Sequence, residues 1–299
     1  MGCFCGVFTM SLLVRMPERA CGTTRIREVA SPASPELELR YIYLGFVRIR
    51  QGERRGFDFG PMDTVAVVLS GAVEAAWEGA DGQMRRETLE GRRDVFDGLP
   101  WAICARPYTT LFLKGLSGPA ELALIRAELI AEGAAGSSDE LPRPGAEIKT
   151  PERLQAQAIG RGKRSGEVRY VAAVTRSGHG MIIGETLMCA AEAEDESGGE
   201  RDYEEVRHFR LRPETGLGTQ RVRSRDSDCA FRIRNQDTVA IPSGFRPDPA
   251  TAAPGHDLYC LWALAGPSQS CPPSCWLSEV RCDSPRSAAG ACEPGRRCR

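Results

Sequence analysis

Three histidines occur in the 299 residues, and they are scattered. His179 lies in Ser177-Gly178-His179-Gly180, His208 follows Glu205 by three positions, and His256 lies in Pro254-Gly255-His256-Asp257. An imidazole-based metal site needs several such nitrogens converging with a carboxylate. Residues at an odd separation on a strand face opposite ways, so His208 turns away from Glu205 unless a bulge intervenes. His179 and His256 sit in turns by composition. Each histidine therefore reads as a surface or packing residue. The run Glu192–Glu205 carries eight carboxylates and one arginine. It reads as a solvated loop and lacks the ligand spacing of an EF-hand.

The cysteines give no firmer site. Five of the twelve, Cys271, Cys275, Cys282, Cys292 and Cys298, crowd the end of the chain at C-x3-C-x6-C-x9-C-x5-C. That pattern lacks the paired short spacings of structural zinc sites. The segment 268–299 is rich in Pro, Ser, Gly and Arg, and reads as a disordered tail, with a metal-binding or disulfide knot as the alternative.

The elements that would position any site are strands. Tyr41–Arg50, Thr64–Leu69, Ala72–Trp77, Val95–Phe96, Ala102–Ala105 and Thr109–Lys114 are short apolar or alternating runs separated by Gly and Pro. After residues 133–166, which read as a linker, the rhythm resumes. Its runs are Arg169–Val174, Met181–Leu187, Val206–Leu211, Gly218–Val222, Ala230–Ile233, Thr238–Ile241 and Leu258–Leu264. Ala120–Glu132 is ambiguous between strand and helix. Closely spaced short strands predict a sandwich or barrel. The halves echo each other: Asp94–Pro107 and Asp237–Pro247 share a strand, a Pro/Gly turn and a following Pro. The expectation is an all-β chain of two jelly-roll barrels at 31–132 and 167–267. An extension with a first strand covers 1–30.

Bulk properties exclude several classes. A net charge of −1 lacks the basic bias of a nucleic-acid binder. No apolar run is long enough to span a membrane as a helix. The apolar stretch 2–14 lacks a basic lead and a clear cleavage site. It reads as a loose extension or a start at Met10, with a secretory signal as the alternative. A cytoplasmic location follows from that reading.

Several stretches carry a resemblance: Leu44–Arg50, Val67–Gly71 and Asp94–Trp101, then Gly184-Glu185, Tyr203–Val206, Gly216–Val222, Asp237–Gly244 and Pro254–Gly266. Their order and spacing, from about Ser11 to Pro267, resemble the family that joins 5-deoxy-glucuronate isomerase and 5-keto-4-deoxyuronate isomerase. The 5-deoxy-glucuronate branch, of inositol breakdown, fits best. The resemblance implies a bicupin, an aldose–ketose interconversion of a small sugar acid, and a divalent zinc, manganese or iron ion in the C-terminal barrel. Oligomerisation is left open.

In the family the metal is held by a His-x-His pair, a later Glu and a final His. Glu205 matches the Glu. Thr186–Glu204 is shorter than the family segment and contains no His, and Arg246 stands where the last His is expected. An arginine repels a cation. Gln220 and Arg221 stand at a family Gln-Arg pair and alternate faces, so one points inward; a guanidinium there suits a substrate carboxylate. Tyr259 matches a family Tyr, with core packing as its other reading. The resemblance thus implies either an active isomerase or a catalytically inactive relative with a binding or structural role. A third reading is an imperfect translation, skipped before Glu205 and frame-shifted after Pro267.

Overall fold

The computed structural model describes residues 12–15, 26–129, 143–161, 164–176, 179–189 and 202–267. The Cys-rich tail and most of the acidic run lie outside the described residues. In chain order the strands are β1 (Leu13–Val14), β2 (Arg27–Ala30), β3 (Ile42–Ile49), β4 (Arg54–Asp58), β5 (Asp63–Glu78), β6 (Met84–Arg92), β7 (Ala102–Ala105), β8 (Thr110–Ala127), β9 (Ala146–Lys149) and β10 (Gln155–Arg161). They continue with β11 (Arg164–Arg176), β12 (His179–Cys189), β13 (Glu204–Arg212), β14 (Gly218–Arg223), β15 (Asp228–Ile233), β16 (Thr238–Ile241), β17 (Arg246–Pro247), β18 (Thr251–Ala252) and β19 (Asp257–Pro267). No α-helix occurs among the described residues.

The N-terminal half is one antiparallel sheet folded over on itself. Its order is β2-β3-β8-β5-β7-β9, with β4 added to β8 and β6 to β5. Two long strands make the fold possible. The first part of β5 pairs with β7, and its last part pairs with β6. The strand changes layer between Val68 and Val73, where its register with β8 shifts three times. Such bulges bend a strand and increase its twist. Gly71 sits at the bend with φ of 76°, and a Cβ there would lie 2.7 Å from the Ala120 Cα. Between the layers pack Val47, Ile49, Val68, Trp77, Leu89, Ile103, Leu111 and Leu122.

The C-terminal half closes two sheets on each other. One runs β1-β16-β13-β19-β12-β11-β10; the other is β15-β14-β17, with β18 on β14. Their shared core contains Phe209, Leu211, Val222, Ile233, Val239, Ile241 and Leu258. Leu12 belongs to this core, and its carbonyl accepts from the Ala240 N–H at 2.8 Å. The first strand among the described residues therefore completes the far half.

The two halves meet face to face. Val65, Val67, Ala123 and Ile125 of the first pack with Ile183, Val206, Tyr259, Leu261 and Ala263 of the second. This explains the ambiguity of Ala120–Glu132, a strand as far as Ala127. Leu122 and Leu124 fill the N-terminal barrel while Ala123 and Ile125 face the other half. A strand buried on both sides shows no alternation. Residues 146–149 and 155–161 of the expected linker are strands as well: β9 pairs with β7 and β10 with β11.

Candidate functional site

Strand β13 decides what enters the C-terminal barrel. Glu205 faces Leu264 and Ile241 across the sheet, and Arg207 faces Trp262 and Val239. Directly opposed residues share a face, so Glu205 and Arg207 look into the barrel with Phe209. Glu204, His208 and Arg210 look the other way, toward the N-terminal half. The reading of Glu192–Glu205 as solvated is corrected at its end. Glu204 and Glu205 begin β13 and are 1% and 3% exposed.

Inside the barrel Glu205 is already paired with a cation. Arg207 Nε donates to Glu205 Oε1 at 2.6 Å, and Arg207 Nη1 donates to Gln220 Oε1 at 2.9 Å and to the Asp248 carbonyl at 3.0 Å. Gln220 is fully buried and donates from Nε2 to the Asp248 and Arg221 carbonyls. Burial opposes the charge on Arg207, but Glu205 first, with Cys260 and Tyr203 adding to it, together raise the guanidinium above its ordinary value. Burial, with Glu205 adding to it against Arg207, pushes the nearby Cys260 thiol up to about 12. That thiol is protonated at neutral pH in the fold.

These residues do not fit the divalent ion that the family resemblance implies. The carboxylate is held by a guanidinium, the thiol keeps its proton, and His208 lies on the outer face. Among the described residues no group of three or more His, Cys, Asp or Glu converges as a metal site. Arg246, at the expected last ligand, sits on β17 opposite Arg223. His179 packs near the Tyr41 ring at 5.6 Å, and His256 lies beside the turn at Gly216.

The structure separates the other expected residues from this interior. Arg221 points outward and is exposed; its Nε donates to Asp228 Oδ1 at 2.6 Å. It is therefore not the inward guanidinium that a substrate carboxylate requires; of the Gln-Arg pair, Gln220 is the inward member. Tyr259 lies at the junction of the halves, on the opposite face of β19 from Cys260. Its hydroxyl donates to Glu185 Oε2 at 2.9 Å. Glu185 also accepts from Arg92 Nη1 and Nη2 at 3.1 and 2.8 Å and from Arg169 Nη1 at 2.9 Å. Arg92 donates to the Val68 carbonyl, so this cluster fastens the two halves. Burial, reinforced by Glu185, holds the Tyr259 phenol far above its ordinary value.

The quoted Gly184-Glu185 pair thus has two structural tasks. Glu185 is the junction carboxylate. A Cβ at Gly184 would lie 2.2 Å from Trp262 Cζ2, so the glycine makes room for an indole that crosses it to reach Tyr170. Sequence reasoning missed Arg207 and Glu204. The signal for Arg207 was its two-residue spacing from Glu205, which puts both on one face. Glu204 accepts the backbone N–H groups of Arg40, Tyr41 and Ile42, each at 2.7 Å, tying β13 to the start of β3.

The comparisons with known proteins agree with this architecture. An IolB-like protein from Salmonella typhimurium LT2 has 19% identity and a TM-score of 0.61, covering 82% of this chain and 91% of that one. The oxalate decarboxylase of Lactobacillus farciminis has 11% identity and a TM-score of 0.54, with 82% and 84% covered. Streptomyces albus HEPD, solved with 2-hydroxyethylphosphonate and Fe(II), has 9% identity and a TM-score of 0.53, with 86% and 74% covered. These likenesses show an all-β fold of cupin type. In sequence, 5-deoxy-glucuronate isomerase of Lacticaseibacillus casei is 34% identical over 77 residues, 25% of this chain. The matched stretch spans 28% of that relative's length. The model of the KduI/IolB family matches residues 13–277, most of the chain and both barrels. With the family model spanning both halves, the chain belongs to the KduI/IolB family.

Proposed function

We propose that this chain is an aldose–ketose isomerase of a small sugar acid, 5-deoxy-glucuronate, in the cytoplasm. Family membership along residues 13–277 supports the reading. The single geometric observation behind it is a carboxylate, a guanidinium and an amide brought together inside the C-terminal barrel, at Glu205, Arg207 and Gln220. The interconversion moves a proton between C2 and C1 of the sugar. It needs a base beside the carbon and a positive group that stabilises the developing enediolate oxygens. Glu205 supplies a carboxylate and Arg207 a fixed positive charge. Neither role passes through a metal, because the residues present do not fit one. A second reading, a non-catalytic relative, draws on the same pair: an ion-paired Glu205 is not poised as a free base.

The test is conversion of 5-deoxy-glucuronate to its 2-keto isomer by the purified chain, with and without added zinc, manganese or iron. Turnover that drops at least ~100-fold in Glu205→Gln is expected for a lost general base. No conversion under any of these conditions would sink the isomerase reading and leave the non-catalytic one.

A further inference from the structure

We propose that Arg207 is the resident cation of the C-terminal barrel, fixed where a divalent ion would otherwise balance Glu205. Its carboxylate faces the interior at 3% exposure. A buried carboxylate needs a compensating charge and hydrogen-bond donors. Arg207 supplies both. Its Nε lies 2.6 Å from Glu205 Oε1, and its Nη1 engages Gln220 Oε1 and the Asp248 carbonyl.

The geometry suits a guanidinium, and it lacks the imidazole nitrogens that hold zinc, manganese or iron. The acceptors around it are one carboxylate oxygen, one side-chain amide oxygen and one backbone carbonyl. A planar fork with five N–H donors matches such a set. The two-residue step from Glu205 to Arg207 keeps both on the inward face, so the charge and its counter-charge come from one strand. The guanidinium side chain keeps 18% exposure, so the pair is not wholly sealed. The barrel therefore carries its positive charge covalently. It neither gains stability from a divalent ion nor loses it to a chelator.

This inference deepens the proposed function but stands apart from turnover, and the test keeps them separable. Chains purified after growth with added zinc, manganese and iron are expected to hold well under one ion each. Their melting temperature is expected not to move with EDTA or with added metal. The variant R207M takes this cation away from the buried Glu205 carboxylate, and its melting temperature should fall on the order of 5–10 °C. The double variant E205Q/R207M removes both charges and should regain most of that loss, since the two residues act as a unit. If R207M fails to fold, recovery of folded protein in the double variant is the supporting result. One bound ion per chain, a melting temperature lowered by EDTA, or a double variant no more stable than R207M would each overturn the inference. Turnover abolished by EDTA would overturn it while sparing the isomerase reading. Absent turnover in a stable, metal-free chain would sink that reading and spare the inference.

Discussion

At the residue scale, polar groups buried on the outer face of β13 make stability depend on pH and on pairing. His208 is fully buried, with Nδ1 3.0 Å from Thr238 Oγ1 and Nε2 accepting from Arg210 Nε at 3.1 Å. Phe46 covers its ring at a centroid distance of 4.4 Å. Burial first, then the charges of Arg210 and Arg27, hold its pKa well below the ordinary value. A histidine with a lowered folded pKa stays neutral in the fold but takes up a proton when unfolded. Stability is thus complete above the unfolded value and falls as pH drops below about 6.5, by up to ~1.4 kcal/mol per unit. Denaturant titrations at pH 7.5 and 5.5 check this, because H208Q should lose that part of the pH dependence. The junction cluster makes a second case. Glu185→Ala removes the carboxylate partner of buried Arg92, while Arg169 keeps Glu167, and should cost about 3–5 kcal/mol. Tyr259→Phe removes one buried hydroxyl and should cost about 1 kcal/mol. Equal turnover in wild type and Tyr259→Phe would mark Tyr259 as a junction residue; a raised KM would return it to the substrate.

At the element scale, the bends in the long strands matter more than their length. Gly71 has positive φ and no room for a Cβ against Ala120. Gly71→Ala should therefore cost roughly 1–3 kcal/mol, read as a lower denaturation midpoint with an unchanged m-value. This position also shows what sequence could and could not disclose. Ser70-Gly71 reads as the turn between two strands because glycine at a break usually marks a turn. Here it is a bulge inside β5 that carries one strand from layer to layer. The strands themselves were legible, since apolar alternation is local. The continuity of β5 and β8 was not, because it depends on partners far along the chain. The site was half legible for the same reason. Glu205 and Gln220 stood out by family resemblance, and alternation on β14 left open which of Gln220 and Arg221 faces inward. Arg207 carried no motif, and the interior network needs the Asp248 carbonyl, which only the closed barrel brings near. Tyr259 and Arg221 were named by the same resemblance, and the face that each occupies was settled by packing.

At the scale of the whole molecule, the two barrels are not separate bodies. Met181, Ile183, Leu261 and Ala263 of the C-terminal half are buried against Leu44, Phe46, Val65 and Ile125 of the other. A fragment covering 155–267 alone would uncover that surface, unpair Glu185 from Arg92 and lack β1. Exposed apolar patches of this kind drive association. Size-exclusion chromatography should find the fragment aggregated, and near-ultraviolet circular dichroism should show no fixed aromatic packing. A monomeric fragment with native near-ultraviolet signal would refute the interdependence of the halves.

The pairing of β1 with β16 also sets an order of events. Leu13 and Val14 lie opposite Val239 and Thr238. On the ribosome residues 12–14 are made long before the strand edge that receives them. Domains fold as their residues emerge, and joining distant segments waits for the loop between them to close. The N-terminal barrel can therefore be complete while the leading segment is still unclaimed. The second barrel becomes whole only when these much earlier residues return to it.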